Sequence, residues 1–211
     1  MPEVKIFENH HEVLEAWSIW RQNNTAICPE VICLDHHTDV LFSLDNVIEN
    51  SWQDLNIVKE VIASIRHDQH FDWAVRSKLI SNARIISHVP AAIKGIDKLE
   101  ILLDNTLPSE FEMLNCQEKF RPIAQTLLED DFLIRQLREI PKRPYILDID
   151  CDYFPCKEAL MPQKINFFNE LWKNAQLVTI SKETIWVKLL RLKGDNNFDS
   201  NYIVEKLAEN R

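Results

Sequence analysis

The scarcity of glycine restricts the ligand-binding loops that this chain can form. Its 211 residues include only two glycines, Gly95 and Gly194. The dinucleotide fingerprint GxGxxG needs three closely spaced glycines, and a Walker A loop needs a glycine followed by Lys and then Ser or Thr. Two glycines cannot form GxGxxG. A Walker A loop is also excluded, because Ile96 follows the first glycine and Asp195 follows the second. Side chains must therefore hold any ligand, without the help of a glycine-rich phosphate loop.

The charge and cysteine content exclude further classes of protein. With 24 basic and 33 acidic residues the formal net charge is −9, which argues against a nucleic-acid-binding protein. The five cysteines are odd in number and form no CxxC pair, as is typical of a reducing compartment. No signal peptide is recognisable, and no apolar run approaches the roughly 18 residues that cross a membrane. We expect a cytoplasmic protein with no nucleic-acid or membrane partner, and a homo-oligomer is compatible with the sequence.

Short apolar segments alternate with helical ones along the chain. Continuous apolar, β-branched runs are typical of strands buried on both faces of a parallel sheet. The alternation predicts an α/β fold with a mostly parallel sheet, in a single domain over residues 1–211. Residues 98–103 fit either a strand or a helix, and residues 105–122 are turn-rich. The predicted strands are 4–7, 30–34, 84–89, 145–147 and 176–180, and the clearest predicted helices are 11–21, 55–65, 71–80, 123–140 and 165–175.

Two polar clusters follow predicted strands directly. The sequence DHHTD occupies residues 35–39, after the strand at 30–34, and DIDCD occupies residues 148–152, after the strand at 145–147. Ligand sites of open parallel sheets lie just beyond the carboxyl ends of the strands. Both clusters are therefore expected at the edge of the sheet where an active site would form.

The spacing within the clusters predicts a group of converging ligands. Side chains two residues apart in an extended chain share a face, so Asp35 and His37 point the same way, as do Asp148 and Asp150. Asp39 can turn back over the same place as the strand ends. Buried carboxylates this close would repel one another and take up protons unless a cation held them together. The pattern therefore predicts a metal site.

A third contribution comes from Asn9-His10-His11, where the first strand gives way to a helix. One histidine from this segment brings the set to two imidazoles and four carboxylates, whose charge matches two divalent cations. Hard oxygen donors with a minority of imidazole favour Mn²⁺, with Fe²⁺ or Co²⁺ as alternatives. Two such cations can acidify a water molecule between them for attack on an electrophilic carbon. His11 remains an alternative to His10 as the ligand.

These motifs resemble those of the arginase and ureohydrolase superfamily. DHHTD is similar to its D-x-H-x-D motif, DID at 148–150 to its D-x-D motif, and the order of the motifs is the same. The resemblance implies a compact version of the three-layer arginase-like fold. It favours the two-manganese branch over the related deacetylases, which bind one zinc with fewer ligands. By resemblance, the metal ligands are His10, Asp35, His37, Asp39, Asp148 and Asp150.

The chain departs from typical arginases in ways that suggest a peptide substrate in place of a free amino acid. It is short, and Asp39-Val40-Leu41 stands where the family usually has Asp-Ile-Asn, which contacts the backbone groups of a free amino acid. In this it looks like the small atypical arginases that act on peptides. Those enzymes convert arginine side chains in ribosomally made precursor peptides to ornithine and release urea. The resemblance therefore implies an arginine-containing precursor peptide as substrate and partner.

The resemblance also implies catalytic roles for a few residues. Asp39 would bridge the metals and pass a proton to the leaving amine, and Glu183 would pair with the guanidinium of the substrate. Glu183 could equally be an ordinary residue at the start of a helix. His70 and His67 are the preferred candidates for a proton shuttle, and His88 is a third.

Other polar and aromatic residues are expected to have structural roles. His36 lies between two predicted ligands and should face away from them into the packing. Asp152 is expected to cap a helix or to accept a hydrogen bond near the site. The six tryptophans are expected at core or interface positions.

Two further functions are compatible with the same residues. One is another ureohydrolase, or a deacetylase, acting on a small guanidino compound or an acylated amine. The other is a non-catalytic peptide-binding protein that uses metal for stability alone.

Overall fold

The computed structural model describes residues 1–89, 97–103 and 121–209. Their strands form one sheet of six parallel strands in the order β1-β6-β5-β2-β3-β4. The predicted α/β fold with a parallel sheet is thereby confirmed, and residues 98–103, which fitted either structure, contribute a strand. The strands are β1 (Glu3–Phe7), β2 (Glu30–Asp35), β3 (Ala83–Ser87), β4 (Leu99–Leu103), β5 (Tyr145–Asp150) and β6 (Leu177–Ser181).

Helices connect the strands. The single helix predicted over 123–140 is wrong, because the chain leaves the helical conformation at Glu129 (φ −65°, ψ 144°). The carboxylate of Glu129 instead accepts hydrogen bonds from the backbone of Gln163 and Lys164. The turn-rich segment predicted at 105–122 lies almost wholly outside the described residues. The described helices are α1 (Val13–Asn23), α2 (Leu55–Ser64), α3 (His70–Arg76), α4 (Arg121–Ala124), α5 (Asp130–Leu137), α6 (Asn166–Asn174), α7 (Thr184–Leu190) and α8 (Ser200–Glu209).

The two faces of the sheet form two separate cores, and the fold has three layers. In β2, Val31 and Cys33 pack against α1, α2 and α3, whereas Ile32 and Leu34 pack against the helices of the second half of the chain. This alternation follows from the two-residue period of a strand. Because helices cover both faces, the central strands are apolar on both sides, as a buried parallel sheet requires. None of the described helices is both long and apolar enough to cross a membrane.

The register of the sheet brings polar side chains together on the α1–α3 face. Cys33 of β2 lies beside Asp148 of β5, and Asp148 lies beside Thr179 of β6. Asp150, two residues further along β5, and Asp35, two residues further along β2, share this face by alternation. The polar residues therefore occupy the carboxyl ends of the two central strands.

Candidate metal centre

His10 reaches the centre from the edge strand β1. After Phe7 the chain leaves the sheet, and the carbonyls of Phe7 and Glu8 accept hydrogen bonds from the backbone of Lys182 and Glu183. The backbone N–H of His10 then donates to Oε1 of Glu183 at 2.8 Å. These bonds join the end of β1 to the segment after β6, and the imidazole of His10 becomes fully buried.

Three carboxylate oxygens surround one nitrogen of His10. Nδ1 lies 2.9 Å from Oδ2 of Asp39, 3.1 Å from Oδ2 of Asp150 and 3.5 Å from Oδ2 of Asp35. One ring nitrogen carries at most one proton and cannot satisfy three carboxylates, and Oδ2 of Asp35 has no hydrogen-bond partner. Adjacent ligands of a six-coordinate cation with bonds of about 2.1 Å lie roughly 3 Å apart. The donor atoms therefore fit a hard divalent cation.

A second group of ligands shares Asp35 with the first. Asp35, His37 and Asp152 bring one donor atom each within 4.8 Å of one another, and Nδ1 of His37 lies 3.0 Å from Oδ2 of Asp152. The backbone N–H of His37 donates to Oδ1 of Asp35 at 2.8 Å, which fixes the turn after β2. The carboxylate of Asp35 therefore lies between two adjoining cation-sized sites.

Asp148 contacts the opposite nitrogen of the His10 ring. Its Oδ2 lies 2.6 Å from Nε2 of His10, and its Oδ1 accepts a hydrogen bond from Oγ1 of Thr179 at 2.5 Å. Oγ1 of Thr179 in turn accepts from Nε1 of the buried Trp17 at 3.1 Å. A carboxylate behind a metal-binding imidazole fixes its tautomer and orientation. Asp148 can therefore hold His10 with Nδ1 directed toward Asp35, Asp39 and Asp150.

The sequence interpretation of DIDCD paired Asp148 with Asp150, but the structure brings Asp152 to the sites as well. Asp152 follows β5 in a short 3-10 helix, where its N–H donates to Oδ1 of Asp150. Its own Oδ1 accepts from the backbone of His36, as expected of a nearby acceptor, while Oδ2 faces His37. Strand alternation relates Asp148 to Asp150 but ends at Asp150, so the turn that brings Asp152 back toward His37 could not be read from the spacing.

The cluster holds more negative charge than its histidines can balance. Burial raises the pKa values of Asp35 and Asp150, and neighbouring carboxylates raise them further. Burial would lower the pKa of His10, but Asp148 and Asp150 raise it well above its ordinary value. In the same way, burial opposes and Asp152 favours protonation of His37, whose pKa rises to about 9.

In the described part of the chain, no Lys or Arg balances the charge of this cluster. Within the described residues, every ion pair of these five aspartates is with a histidine, and none is with Lys or Arg. Buried carboxylates without a balancing charge are costly. A bound divalent cation would balance this charge, and the converging oxygens could hold one.

Two carboxylates of the site are carried on left-handed backbone. Asp39 has φ 48°, and Glu183 has φ 39° and ψ 49°. Residues with a Cβ reach this region at a cost of roughly 1–3 kcal/mol, which surrounding contacts must offset. The left-handed turn at Asp39 returns its carboxylate to the centre after β2 has ended. At Glu183 it lets the carboxylate reach the backbone of His10.

The candidate shuttle His70 lies beneath the centre. Its ring is fully buried, with its centroid 4.3 Å from that of His10, and its Nδ1 lies 2.9 Å from the carbonyl oxygen of His67. Burial and the adjacent His10 lower the pKa of His70 well below its ordinary value. His67, by contrast, is half-buried and lines the cavities above the centre. Of the two preferred candidates for a proton shuttle, only His67 lines the cavities through which solvent reaches the centre. These cavities form the mouth of the site.

The remaining histidines lie where their surroundings suggest other roles. His11 points away from the aspartates and lines one of the cavities, whereas His10 joins the cluster. His36 is buried, and its ring contacts that of His88 at 5.5 Å. His88 stacks on Tyr153 at 4.5 Å. Both rings are therefore part of the packing beside the centre.

Two cavities open above the centre. The first, of about 400 Å³, is lined by His37 and Asp39 among others, and the second, of about 480 Å³, is lined by Glu183. Arg66, His67 and Trp186 border both cavities. A cavity of about 690 Å³ beside α5 is larger, but it contains none of the candidate ligands. The paired cavities are therefore the route by which a substrate would reach the centre.

Comparison with protein-family models finds none that matches the chain, and comparison with curated proteins likewise gives no significant match. Two adjoining groups of carboxylate and imidazole donors lie below the paired cavities and could hold metal.

Proposed function

We propose that the chain is a metal-dependent hydrolase of the arginase type, which converts arginine side chains in a peptide to ornithine and urea. The observation that carries the proposal is the arrangement of buried carboxylates around Nδ1 of His10, beside a second group that contains His37. No cation of the chain balances these carboxylates within the described residues. The sequence resemblance supports the choice of a guanidinium substrate.

In this proposal two groups of side chains hold two divalent cations. His10, Asp35, Asp39 and Asp150 would hold one, and Asp35, His37 and Asp152 would hold the other. The oxygen-rich set suits Mn²⁺, with Fe²⁺ or Co²⁺ as alternatives. When bound, such a pair supplies Lewis-acid activation of water for attack on an electrophilic carbon.

Asp148 has a different role in this proposal from the one that the resemblance implies. It would orient His10 and keep its Nδ1 directed at the ion, because its carboxylate contacts only the far nitrogen of that ring. Asp152 would take its place among the ligands.

Glu183 is the residue proposed to anchor the guanidinium. Its side chain is 7% exposed, lines the 480 Å³ cavity and is tied to the centre through the backbone of His10. The planar fork of a guanidinium pairs well with a carboxylate of fixed position. The left-handed backbone at Glu183 therefore serves to place an acid opposite the aspartates.

Asp39 is the residue proposed to move the proton. Its carboxylate lies at the centre, 2.9 Å from Nδ1 of His10, and the residue also lines the 400 Å³ cavity. It can therefore take a proton at the centre and give it to the amine that leaves as ornithine. His67, rather than the buried His70, is placed to exchange protons with solvent.

The mouth is compatible with a peptide. Cavities lie on both sides of the point where His67 and Trp186 meet, so a chain could continue in two directions from a side chain that enters there. A free amino acid would leave much of this volume to solvent.

Mass spectrometry tests the proposal. Arginine-containing peptides incubated with Mn²⁺-loaded protein should lose about 42 Da per arginine, the mass of CN₂H₂, with an equal amount of urea released. Free arginine, acetyl-lysine peptides and the D35N variant should be run in parallel. Deacetylation of the lysine peptides would favour the alternative hydrolase. A fully loaded protein that changes none of these substrates would contradict the proposal and favour a non-catalytic role.

A further inference from the structure

Trp186 occupies an unusual place for a tryptophan of this chain. It lies in the first turn of α7, three residues after Glu183, and is half-buried against the core of the second half of the chain. Its indole borders both cavities above the metal centre. Trp17, by contrast, is fully buried under the sheet. The indole of Trp186 is thus held at its base and open at the mouth.

The neighbours of Trp186 define a slot for a flat group. Its ring centroid lies 5.1 Å from that of His37 and 6.2 Å from that of His67. The planes of these two rings are tilted from that of Trp186 by 62° and 47°, so the slot narrows like a wedge. A flat group in it would stack on one face of the indole alone, and the cavities on either side give it room.

The charge around the slot is negative. The carboxylates of Asp39 and Glu183 lie on the two sides of Trp186, one along each cavity. Arg66, the basic residue at the mouth, is paired with Asp68 at 2.7 Å and is largely exposed. A cation that enters the slot therefore meets two acids below and an electron-rich indole at the side.

We infer that Trp186 is the specificity-determining residue for the side chain that enters the centre, and that it selects a planar guanidinium by stacking. Tryptophan is the strongest aromatic partner for a cation, and a delocalised, weakly hydrated guanidinium stacks better than an ammonium. The inference rests on the proposed function for the identity of the substrate, but it concerns recognition rather than hydrolysis.

Binding of small probes tests the inference separately from turnover. Propylguanidine reproduces the end of an arginine side chain, and butylamine that of a lysine. Calorimetric titration of the Mn²⁺-loaded protein should give clearly tighter binding of propylguanidine. The W186L variant should bind it about tenfold more weakly, and W186F should stay within roughly threefold of the native protein. Butylamine binding should change little in either variant.

Kinetics on an arginine peptide supply a second measurement. W186L should raise KM about tenfold while kcat changes less than threefold, since the stacking partner acts on binding. W20L is the matched control, because Trp20, a residue of α1, is also half-buried but packs against the other core. The thermal stability, metal content and propylguanidine affinity of W20L show what the loss of a half-buried tryptophan does away from the centre.

The outcomes separate this inference from the proposed function. If the native protein binds propylguanidine through Trp186 but releases no urea, the hydrolase proposal fails and the inference stands. If the native protein hydrolyses arginine while W186L keeps its KM and probe affinity, the inference fails and the function stands. Equal losses in W186L and W186F would also overturn it, since they would indicate a packing role. If W186L does not fold, the native protein decides: equal affinity for propylguanidine and butylamine would overturn the inference.

Discussion

Two acidic clusters of this protein meet the same geometric condition for binding a metal, yet they differ in how their charge is balanced. One is the centre around Asp35. The other contains Cys156, Glu158 and Asp195, which also place donor atoms within 4.8 Å of one another. In that second cluster Arg121 pairs with both carboxylates, at 3.0 Å from Asp195.

The comparison separates a structural ion-pair network from a candidate metal centre. Around Arg121 the chain supplies its own cation, and both carboxylates retain some contact with solvent. Around Asp35 the acids are buried, and in the described part of the chain only histidines pair with them. Proximity of acids is therefore weak evidence for a metal. Proximity without a built-in cation is much stronger evidence, because burial leaves charge that something must balance.

The largest effect should come from D35N, because Asp35 belongs to both groups of ligands. Loss of a residue that only orients a ligand typically costs up to about 100-fold in activity or affinity, and loss of a shared ligand should exceed that. Bound Mn²⁺, measured by elemental analysis, should fall to one ion or none. D195N is the control in the other cluster, and it should keep both the metal and the activity. Equal metal loss in the two variants would erase the distinction between the clusters.

A smaller effect is expected for D148N. The variant should keep its metal stoichiometry but bind Mn²⁺ about 10–100-fold more weakly, because the His10 ring loses its orientation. D152N should instead lose one of the two ions. Both quantities follow from titration with a competing chelator. If D148N loses an ion and D152N does not, the ligand set implied by the family resemblance is the correct one.

Metal should also change the stability of the fold. At a free Mn²⁺ concentration about 100 times the dissociation constant, stabilisation of roughly 2.7 kcal/mol should raise Tm by about 5–10 °C. The shift should grow as the pH rises from 6 to 8. His37, with its pKa near 9, and the acids with raised pKa values must lose protons to bind the ion. A shift that is equal at both pH values, or absent, in differential scanning calorimetry would argue against binding at this centre.

The smallest effect is expected at the other cluster. R121M leaves Glu158 and Asp195 without their cation, and because these pairs are partly exposed the cost should be about 1 kcal/mol. Chemical unfolding measures this change. The Mn²⁺-induced rise in Tm should be the same as in the native protein. If the rise disappears, Arg121 matters to the metal centre and the two clusters are not independent.

The sequence predicts the sheet well because its central strands are apolar on both faces. The runs at 30–34 and 145–147 have this character, and both form strands. Their ends were less predictable, since β2 and β5 continue into Asp35 and Asp150. Backbone hydrogen bonds to the neighbouring strands keep Asp35 and Asp150 in the sheet. Because those bonds do not depend on the side chain, a polar residue is not a dependable sign that a strand has ended.

The choice among the three aspartates of DIDCD depends on register, which one strand cannot reveal. Asp148 and Asp150 alternate onto one face in any register, and Asp152 follows in a 3-10 helix. Pairing of β5 with β2 sets Asp148 beside Cys33, two residues before Asp35, and its carboxylate meets Nε2 of His10 and not Nδ1. Only the assembled sheet shows which nitrogen of His10 each aspartate meets.

A similar limit applies to the histidines of residues 67–70. His67 and His70 are three residues apart, close to one helical turn, and their sequence context is equally polar. The chain changes from a 3-10 helix to α3 between them. That change turns His70 inward beneath His10 and leaves His67 at the mouth. No local pattern separates the two.

The position of His10 at the end of β1 has a consequence for how metal enters and leaves. Among the described strands β1 lies at the edge of the sheet and pairs with β6 alone. An edge strand with one partner opens at a lower free energy than the central strands. Its fraying would withdraw one imidazole while the aspartates on β2 and β5 stay in place. We therefore expect ion exchange to follow the local opening of this strand, on the timescale of its amide hydrogen exchange rather than that of global unfolding.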